Sequence, residues 1–144
     1  MKLSEKGASL LIEREGVKLK AYKDSVGVLT IGVGHTGPDV KPGLVWTQAQ
    51  ADEAFEKDVQ WAVDAVNKTG RPLEQYQFDA LVSFTFNVGA SAYLGSTLRK
   101  KLLNGQIGVA ADQFDRWHIP EEIISRRNAE KLQFQGREFV ARKQ

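Results

Sequence analysis

The chain has 144 residues, of which 42% are hydrophobic and 26% are charged, and its formal net charge at pH 7 is only +2. These values are typical of one globular domain that buries a core of its own. Because the chain has no cysteine, disulfide bonds, thiol catalysis and cysteine-ligated metal sites are excluded.

The first helix is predicted to begin after Ser4, whose hydroxyl is a suitable N-cap, and to end at Gly16. Charged residues interrupt the apolar residues of segment 1–15, so it is predicted to be neither a signal peptide nor a membrane anchor. No other segment approaches transmembrane length. The sequence therefore predicts a soluble cytoplasmic protein.

Residues 18–34 predict a small β-hairpin or meander, because the segment is rich in β-branched residues and glycine and Gly27 separates its two runs. Residues 36–46 contain two prolines and two glycines, and this composition predicts a loop. Thr47 is a candidate N-cap for one helix of nearly five turns, in which apolar residues recur at every third or fourth position up to Val66.

The remaining segments predict further helices. Residues 74–88 are apolar on most sides, which is typical of the central helix of a core. A small-residue connection, 89–95, is expected to follow, and Ser96 is a candidate N-cap for the next helix. Two more helices are expected, one at about 109–117 and one that begins near Pro120, a residue suited to a first turn.

These elements predict a mostly helical α+β fold in a single domain, residues 1–144. A small lobe that contains the β-hairpin is expected at about 16–46. A helical lobe is expected at about 47–144, together with the N-terminal helix. A cleft between two lobes is a usual place for a ligand, so the predicted function is sought among the polar residues near the hairpin.

Three polar residues around the hairpin point to chemistry. Glu15 lies at the end of the first predicted helix, where the unpaired carbonyls disfavour a carboxylate and favour the protonated acid. If residues 26–28 form the loop, Asp24 lies opposite Thr30 with Cβ atoms about 5 Å apart, and the two side chains hold one water. A two-residue loop would remove this pairing. A proton donor, a carboxylate and a water-holding hydroxyl fit glycoside hydrolysis, although other hydrolytic reactions use the same groups.

The spacing of these residues resembles a known catalytic signature. Eight residues separate Glu15 from Asp24 and five separate Asp24 from Thr30, as in glycoside hydrolase family 24, the phage-type lysozymes. The similarity extends over most of the chain, through A-Y-K-D-S-V-G-V-L-T-I-G-V-G-H-T-G (21–37), Q-Y-Q-F-D-A-L-V-S-F-T-F-N-V-G (75–89), G-S-T-L-R-K-K-L (95–102), A-A-D-Q-F-D-R-W (110–117) and R-R-N-A-E (126–130).

The resemblance implies a lysozyme-like fold and an endolysin, a muramidase that lyses the bacterial host at the end of phage infection. Such an enzyme hydrolyses the β-1,4 bond between N-acetylmuramic acid and N-acetylglucosamine in peptidoglycan. By analogy, Glu15 is the proton donor, Asp24 assists the water or the developing oxocarbenium ion, and Thr30 orients the water. No cofactor is implied, and inversion or retention at the anomeric carbon stays open.

The resemblance also bears on partners and location. Some members of the family are exported through a transmembrane N-terminal segment, which this sequence lacks. Release from the host cytoplasm through a holin-type opening of the inner membrane is therefore implied, without stable membrane insertion of the enzyme. A monomer that acts at the periplasmic cell wall is expected.

His35, Asn87 and Arg126 are further candidates for substrate binding. A lone histidine with one distant companion gives no ligand cluster, so no metal site is predicted, and a structural hydrogen bond is the alternative role for His35. Asn87 either binds substrate or makes a helix-end contact that holds the cleft. By analogy with relatives, Arg126 or Arg127 is expected to approach Glu15.

Three other functions are compatible with parts of the sequence. A lytic transglycosylase would cleave the same bond without water and would not need the pair Asp24 and Thr30. A cell-wall-binding module would have lost catalysis, but all three catalytic residue types are retained. The third function is nucleic-acid binding. It would depend on residues 126–144, which carry six basic residues against two acidic ones, but no nucleic-acid recognition motif accompanies them. Peptidoglycan, rather than nucleic acid, is the predicted partner.

Overall fold

The computed structural model describes residues 1–118 and 123–137. It is mostly helical with one small two-stranded antiparallel sheet, which confirms the predicted α+β class. The elements in chain order are α1 Glu5–Glu15, β1 Lys18–Lys23, β2 Leu29–Gly32, α2 Gln48–Asp58, α3 Gln60–Asn67, α4 Gln75–Val88, α5 Ala90–Leu94, α6 Thr97–Leu103, α7 Ile107–Gln113, a 3₁₀ turn Phe114–Arg116 and α8 Ile124–Phe134.

The three predicted N-caps are confirmed. The Ser4 hydroxyl accepts a hydrogen bond from the backbone N–H of Gly7 (2.9 Å) at the start of α1. Thr47 accepts from the N–H of Gln50 (3.1 Å), whose side chain accepts in return from the Thr47 N–H (2.8 Å). Ser96 accepts from the third residue of α6 at 3.1 Å. Each cap satisfies a backbone donor that the first helical turn leaves unpaired.

Two compact units make up the chain. The first contains Met1–Ala8 and Trp61–Gln144, and the second contains Ser9–Gln60. The small lobe predicted at 16–46 lies within the second unit, which also holds the end of α1 and all of α2.

The predicted central helix is confirmed as α4. All residues from Phe78 to Thr85 are buried, so no face of this stretch is exposed to solvent. The helix packs against α8, and the ring of Phe84 meets Phe114 and Trp117 edge to face, with centroids 5.3 Å apart in both pairs. A helix of this apolar composition is stable only where its whole circumference is covered.

The single five-turn helix predicted after Thr47 is wrong. The chain instead forms α2 and α3, which are separated at Val59. Val59 keeps right-handed helical angles (φ −83°, ψ −13°), and its N–H still donates to the Phe55 carbonyl at 2.9 Å. The apolar period continues across the break because burial continues: Ala51 and Val66 are both buried. Hydrophobic periodicity therefore reports burial here and does not detect the interruption.

Two other predictions differ from the structure or lie outside it. The connection predicted at 89–95 contains the short helix α5, which begins after Gly89 at a φ of +105°. The small residues there did not signal a helix because α5 has only five residues. The predicted helix start at Pro120 lies outside the described residues.

Candidate active site

Glu15 is the last residue of α1, as the sequence predicts. Gly16 follows at a φ of +80°, a conformation that favours glycine, and its N–H donates to the Ile12 carbonyl at 2.7 Å. The helix therefore stops directly after Glu15, and this stop places a half-buried carboxyl group at the carbonyl end of α1.

The hairpin forms, but it does not adopt the register in which residues 26–28 form the loop and Asp24 pairs with Thr30. Thr30 pairs with Tyr22, and Leu29 pairs with Lys23. The N–H of Asp24 donates to the carbonyl of Val28 at 2.9 Å. Asp24 is therefore diagonal to Thr30 rather than directly opposite it. Diagonal neighbours are roughly 7–8 Å apart, with their Cβ atoms somewhat closer, whereas the Cβ atoms of directly opposite residues are about 5 Å apart.

The side chain of Asp24 explains this register. Its Oδ1 accepts hydrogen bonds from the N–H groups of Val26 (3.0 Å) and Val28 (2.8 Å), so the carboxylate organises the turn that follows. Gly27 supplies the left-handed position of the turn at a φ of +85°. Within residues 1–118 and 123–137, the second oxygen of Asp24, Oδ2, has no hydrogen-bond partner.

Thr30 is a buried residue of β2 with 4% of its surface exposed. Its hydroxyl donates to the Val28 carbonyl at 2.9 Å. The hydroxyl proton is therefore used inside the protein, whereas the oxygen lone pairs can accept a hydrogen bond from water or substrate.

A tight turn follows Thr30 and meets Glu15. Ile31 and His35 exchange two backbone hydrogen bonds of 2.9 Å each, and Gly32 and Gly34 between them have φ values of +66° and +71°. A Cβ atom built on Gly34 would lie 3.6 Å from Oε1 of Glu15. The carboxyl group of Glu15 thus reaches the turn that begins one residue after Thr30, and Glu15, Asp24 and Thr30 all belong to the second unit.

His35 lies at the end of this turn and is bound at both ring nitrogens. Nδ1 is 2.6 Å from Oδ2 of Asp58, and Nε2 is 2.9 Å from Oδ2 of Asp39. Burial lowers the pKa of His35, but the hydrogen bonds to Asp58 and Asp39 outweigh burial, so the pKa is raised above its ordinary value of 6.5. The alternative role predicted for His35, a structural hydrogen bond beside the site, matches these contacts.

Sequence reasoning did not identify Asp39, Asp58 or Trp46 as partners of His35. Asp58 lies 23 positions further along the chain, and the ring of Trp46 lies 5.2 Å from the imidazole. The only local signal is the separation of four residues between His35 and Asp39, which is uninformative outside a helix. Residues 44–46, predicted as loop, also pair with β1: the N–H of Trp46 donates to the Leu19 carbonyl at 2.7 Å.

Asn87 and Arg126 belong to the first unit, at the edge of an ionic network around the buried residues Arg127 and Glu130. Glu130 is fully buried and accepts hydrogen bonds from Arg126 (3.1 Å), from Arg127 and from the hydroxyl of Ser83. Arg127 also donates to the side-chain oxygen of Asn87. The predicted substrate contacts of Asn87 and Arg126 therefore stay predictions, and both side chains have protein partners.

Two further features of the described residues bear on function. No helix in residues 1–118 and 123–137 is both long and apolar enough to cross a membrane. The same residues contain no group of three or more His, Asp or Glu side chains arranged to hold a metal ion.

Comparison with known proteins identifies the family. The phage lysozyme family matches residues 12–130. The chain belongs to the phage lysozyme family. It is similar to the endolysin of Salmonella phage P22, with 41% identity over 143 residues that cover 93% of this chain and 98% of the relative. It is also 41% identical to the endolysin of Bacillus phage PZA, and the match covers 93% of this chain and 55% of that relative.

A solved structure supports the same assignment for this phage lysozyme. The muramidase domain of SpmX from Asticaccaulis excentricus is 34% identical, with a TM-score of 0.85, over 92% of this chain and 97% of that one. The predicted family and lysozyme-like fold are confirmed. The chain is a lysozyme-type glycoside hydrolase that acts on peptidoglycan and has a lysis function at the cell wall.

Proposed function

We propose that this phage lysozyme hydrolyses the β-1,4 bond between N-acetylmuramic acid and N-acetylglucosamine, with Glu15 as the proton donor. The observation that carries the proposal is the closeness of the Glu15 carboxyl group to Gly34, in the turn that begins just after Thr30: a Cβ atom built on Gly34 would lie 3.6 Å from Oε1 of Glu15. It brings an acid close to the residues that handle water in the proposed reaction. Glycoside hydrolysis requires this combination of an acid for the leaving oxygen and a second group near the anomeric carbon.

Glu15 supplies the acid. The group that protonates the glycosidic oxygen must be protonated when substrate binds. The carboxyl group of Glu15 is half-buried at the end of α1 and lies close to the turn that follows Thr30, so it is held near the residues proposed to handle water. Glu15→Gln would preserve the shape of the side chain and remove its transferable proton.

Asp24 supplies the second carboxylate. Its Oδ1 is occupied by two backbone N–H groups, which hold the side chain in one orientation. Oδ2 is left for a water molecule or for the positive charge that develops on the sugar ring. A carboxylate that is fixed through one oxygen loses little further freedom when its other oxygen acts, so this arrangement favours catalysis by orientation.

Thr30 supplies the water acceptor. Because its hydroxyl proton is donated to the Val28 carbonyl, Thr30 acts toward a water molecule as an acceptor only. A water that donates one hydrogen to Thr30 and the other to Oδ2 of Asp24 would point a lone pair away from both groups. Such a water is oriented for attack and is partly deprotonated by the carboxylate.

The central experiment measures reducing-sugar release from purified peptidoglycan by the parent enzyme and by Glu15→Gln. General acid catalysis contributes roughly 10²–10⁴-fold, so the variant is expected to lose at least about a hundredfold in rate while it stays folded. Glu56→Gln is the matched control, because Glu56 is an exposed residue of α2 in the same unit, and its rate should equal that of the parent. A Glu15→Gln rate close to the parental rate would exclude Glu15 as the acid.

Product analysis separates hydrolysis from the transglycosylase alternative. Hydrolysis adds one water molecule to the cleaved bond, whereas a lytic transglycosylase leaves an anhydro sugar. Mass spectrometry of the released fragments is expected to show the hydrated product alone. A product that contains anhydro-muramic acid would contradict the roles of Asp24 and Thr30.

We further propose, from the family resemblance, that the enzyme acts as a monomer and leaves the host cytoplasm through a holin-type opening. Size-exclusion chromatography with light scattering should give the mass of one chain. Expression in a Gram-negative host should cause lysis only when a holin is co-expressed or the inner membrane is permeabilised chemically. Lysis by the enzyme alone would contradict holin dependence.

A further inference from the structure

His35 is bound by two carboxylates from separate parts of the chain. Asp58 belongs to α2 and binds Nδ1 at 2.6 Å, whereas Asp39 follows the turn after β2 and binds Nε2 at 2.9 Å. An ionised carboxylate only accepts hydrogen bonds, and a neutral imidazole has a single N–H to donate. Both contacts are therefore hydrogen bonds only when His35 is an imidazolium ion.

The other groups around the ring do not replace these partners. Glu53 and Lys57 of α2 line the same cavity of about 260 Å³ with His35, Trp46 and the two aspartates. Glu53 and Lys57 form an exposed ion pair with each other at 3.6 Å. They therefore contribute opposite charges to the cavity, and the carboxylates in direct contact with the ring are those of Asp39 and Asp58.

The backbone of His35 connects this cluster to the proposed catalytic residues. His35 and Ile31 exchange two hydrogen bonds of 2.9 Å, which close the turn between them. Thr30 immediately precedes this turn, and Gly34 within it faces the carboxyl group of Glu15, whose Oε1 would lie 3.6 Å from a Cβ atom built on Gly34. A displacement of His35 would therefore move the surface on which Glu15 rests, and it would move the end of β2.

We propose that His35 is a positioning residue for the hydrolytic reaction: held between Asp58 and Asp39, its imidazolium ring fixes the Ile31–His35 turn relative to Glu15 and Thr30. The proposal rests on the roles proposed above for Glu15 and Thr30. In this role His35 does not touch the substrate, in contrast to the substrate contact predicted from the sequence. We call the two contacts of the ring, with Asp58 and with Asp39, the His35 clamp. Within it, Asp39 connects the segment after the turn to the ring.

The clamp depends on one proton. When His35 loses it, one ring nitrogen becomes an acceptor that faces a carboxylate oxygen, and that contact changes from attraction to repulsion. Because the two hydrogen bonds raise the pKa of His35, the clamp stays closed above the ordinary titration range of histidine and opens at more alkaline pH. The positioning of Glu15 and Thr30 should loosen over the same pH range.

The test compares Asp39→Ala, Asp39→Asn and the control Glu53→Gln. The quantities measured are kcat and KM on soluble, uncrosslinked peptidoglycan strands between about pH 5 and about pH 9, on either side of the ordinary histidine pKa of about 6.5. Since 60% of the Asp39 side chain is exposed, its removal should leave the fold intact, and thermal unfolding in each buffer checks this.

Asp39→Ala removes the contact of Nε2 with Asp39. The kcat of this variant is therefore expected to be about tenfold below the parental value at acid pH, and its KM should stay within about twofold of the parental KM. A displacement of about 1 Å can cost up to about a hundredfold in rate, so a tenfold loss corresponds to a small shift of the turn. Asp39→Asn is the conservative rescue: its amide accepts from the imidazolium and donates to the neutral ring. This variant should retain the parental kcat at acid pH and exceed it at alkaline pH.

Glu53 lines the same cavity as His35 but is paired with Lys57 instead. The kcat and KM of the control Glu53→Gln should therefore equal the parental values at every pH. An Asp39→Ala enzyme with the parental kcat across the whole range would overturn the positioning role. So would a loss of kcat that parallels thermal unfolding at the assay temperature. The test is separate from that of the proposed function: if Glu15→Gln is inactive and Asp39→Ala keeps the parental kcat, only the role of His35 is overturned.

Discussion

Asp24 and Thr30 are joined through the backbone of one residue, Val28. The N–H of Val28 donates to Oδ1 of Asp24 at 2.8 Å, and its carbonyl accepts from the Thr30 hydroxyl at 2.9 Å. The relative position of the two side chains is therefore set by Val28 and not by direct cross-strand pairing. Both side chains also support the hairpin, so their substitutions should affect stability as well as catalysis.

Substitutions of Asp24 should separate these two effects. Asp24→Asn keeps an oxygen that can accept the two backbone N–H groups, but it removes the negative charge. Asp24→Ala removes both. Both variants are expected to lose most activity, whereas only Asp24→Ala should lose free energy of unfolding, by about 1–2 kcal/mol for two hydrogen bonds. Lysis assays and urea unfolding of the two proteins measure the contrast.

Equal stability of Asp24→Asn and Asp24→Ala would contradict the structural role of the carboxylate. The control is Asp52→Asn, at an exposed position of α2 in the same unit, where the side chain accepts from Gln48 at 2.9 Å. It should leave activity unchanged.

Thr30 should tolerate serine better than valine. Thr30→Ser keeps the hydroxyl that donates to Val28 and accepts from water, so partial activity is expected. Thr30→Val keeps the shape but removes the hydroxyl that donates to the Val28 carbonyl, which retains the Asp24 N–H, and this loss should cost about 1 kcal/mol of stability at this buried position. Kinetics and urea unfolding of the pair check both parts. A Thr30→Val enzyme as active as Thr30→Ser would exclude the hydroxyl from the reaction.

The features that could be predicted from the sequence are those with local causes. Ser4, Thr47 and Ser96 cap helices because a hydroxyl side chain reaches a backbone N–H three residues later, and only the neighbouring sequence matters. The hairpin register was not predictable in the same way. Val26, Gly27 and Val28 allow several loop lengths, and the side chain of Asp24 selects one of them.

The candidate site shows the same division. Its proposed catalytic residues were predicted from the family spacing, and the end of α1 at Gly16 was predictable because glycine favours positive φ. The partners of His35 could not be predicted, since the packing of α2 against β2 brings Asp58 to His35. Long-range contacts of this kind depend on how elements pack, which the order of residues in one segment does not encode.

The buried network around Glu130 should dominate the stability of the larger unit. Glu130 and Arg127 are fully buried, and Arg126 is nearly so. Replacing Glu130 by glutamine would remove the buried negative charge that Arg126 and Arg127 share, which is expected to cost about 3–5 kcal/mol. Chemical unfolding of the purified variant measures this loss.

Asp115→Asn is the matched control for that variant. Asp115 is half-exposed and pairs with Lys131 of α8 at 2.8 Å, so the loss should stay within about 1 kcal/mol. A Glu130→Gln variant no less stable than Asp115→Asn would show that the buried charges are compensated in another way.

The last prediction concerns the pH dependence of stability at His35. Its pKa in the folded chain is raised above the value of 6.5, so the folded state binds this proton more tightly than the unfolded state does. The resulting stabilisation is fully present below about pH 6.5 and is lost as the pH rises through the raised pKa of the folded chain. Asp39 behaves oppositely: the hydrogen bond from His35 lowers its pKa, so its contribution is lost as the pH falls through that lowered value.

The contribution of the pair is therefore largest between the lowered pKa of Asp39 and the raised pKa of His35. We expect the free energy of unfolding of His35→Ala to lie furthest below the parental value at about pH 5 and to move toward it as the pH rises through the raised pKa of His35, as measured by urea unfolding at each pH. His118→Ala serves as the control, since His118 is exposed and is the only other histidine of the chain. The loss of unfolding free energy in His118→Ala at about pH 5 should be smaller than that in His35→Ala. A His35→Ala difference that is constant or grows as the pH rises would mean that the proton on His35 does not stabilise the fold, because a histidine buried in its neutral form gives the opposite slope.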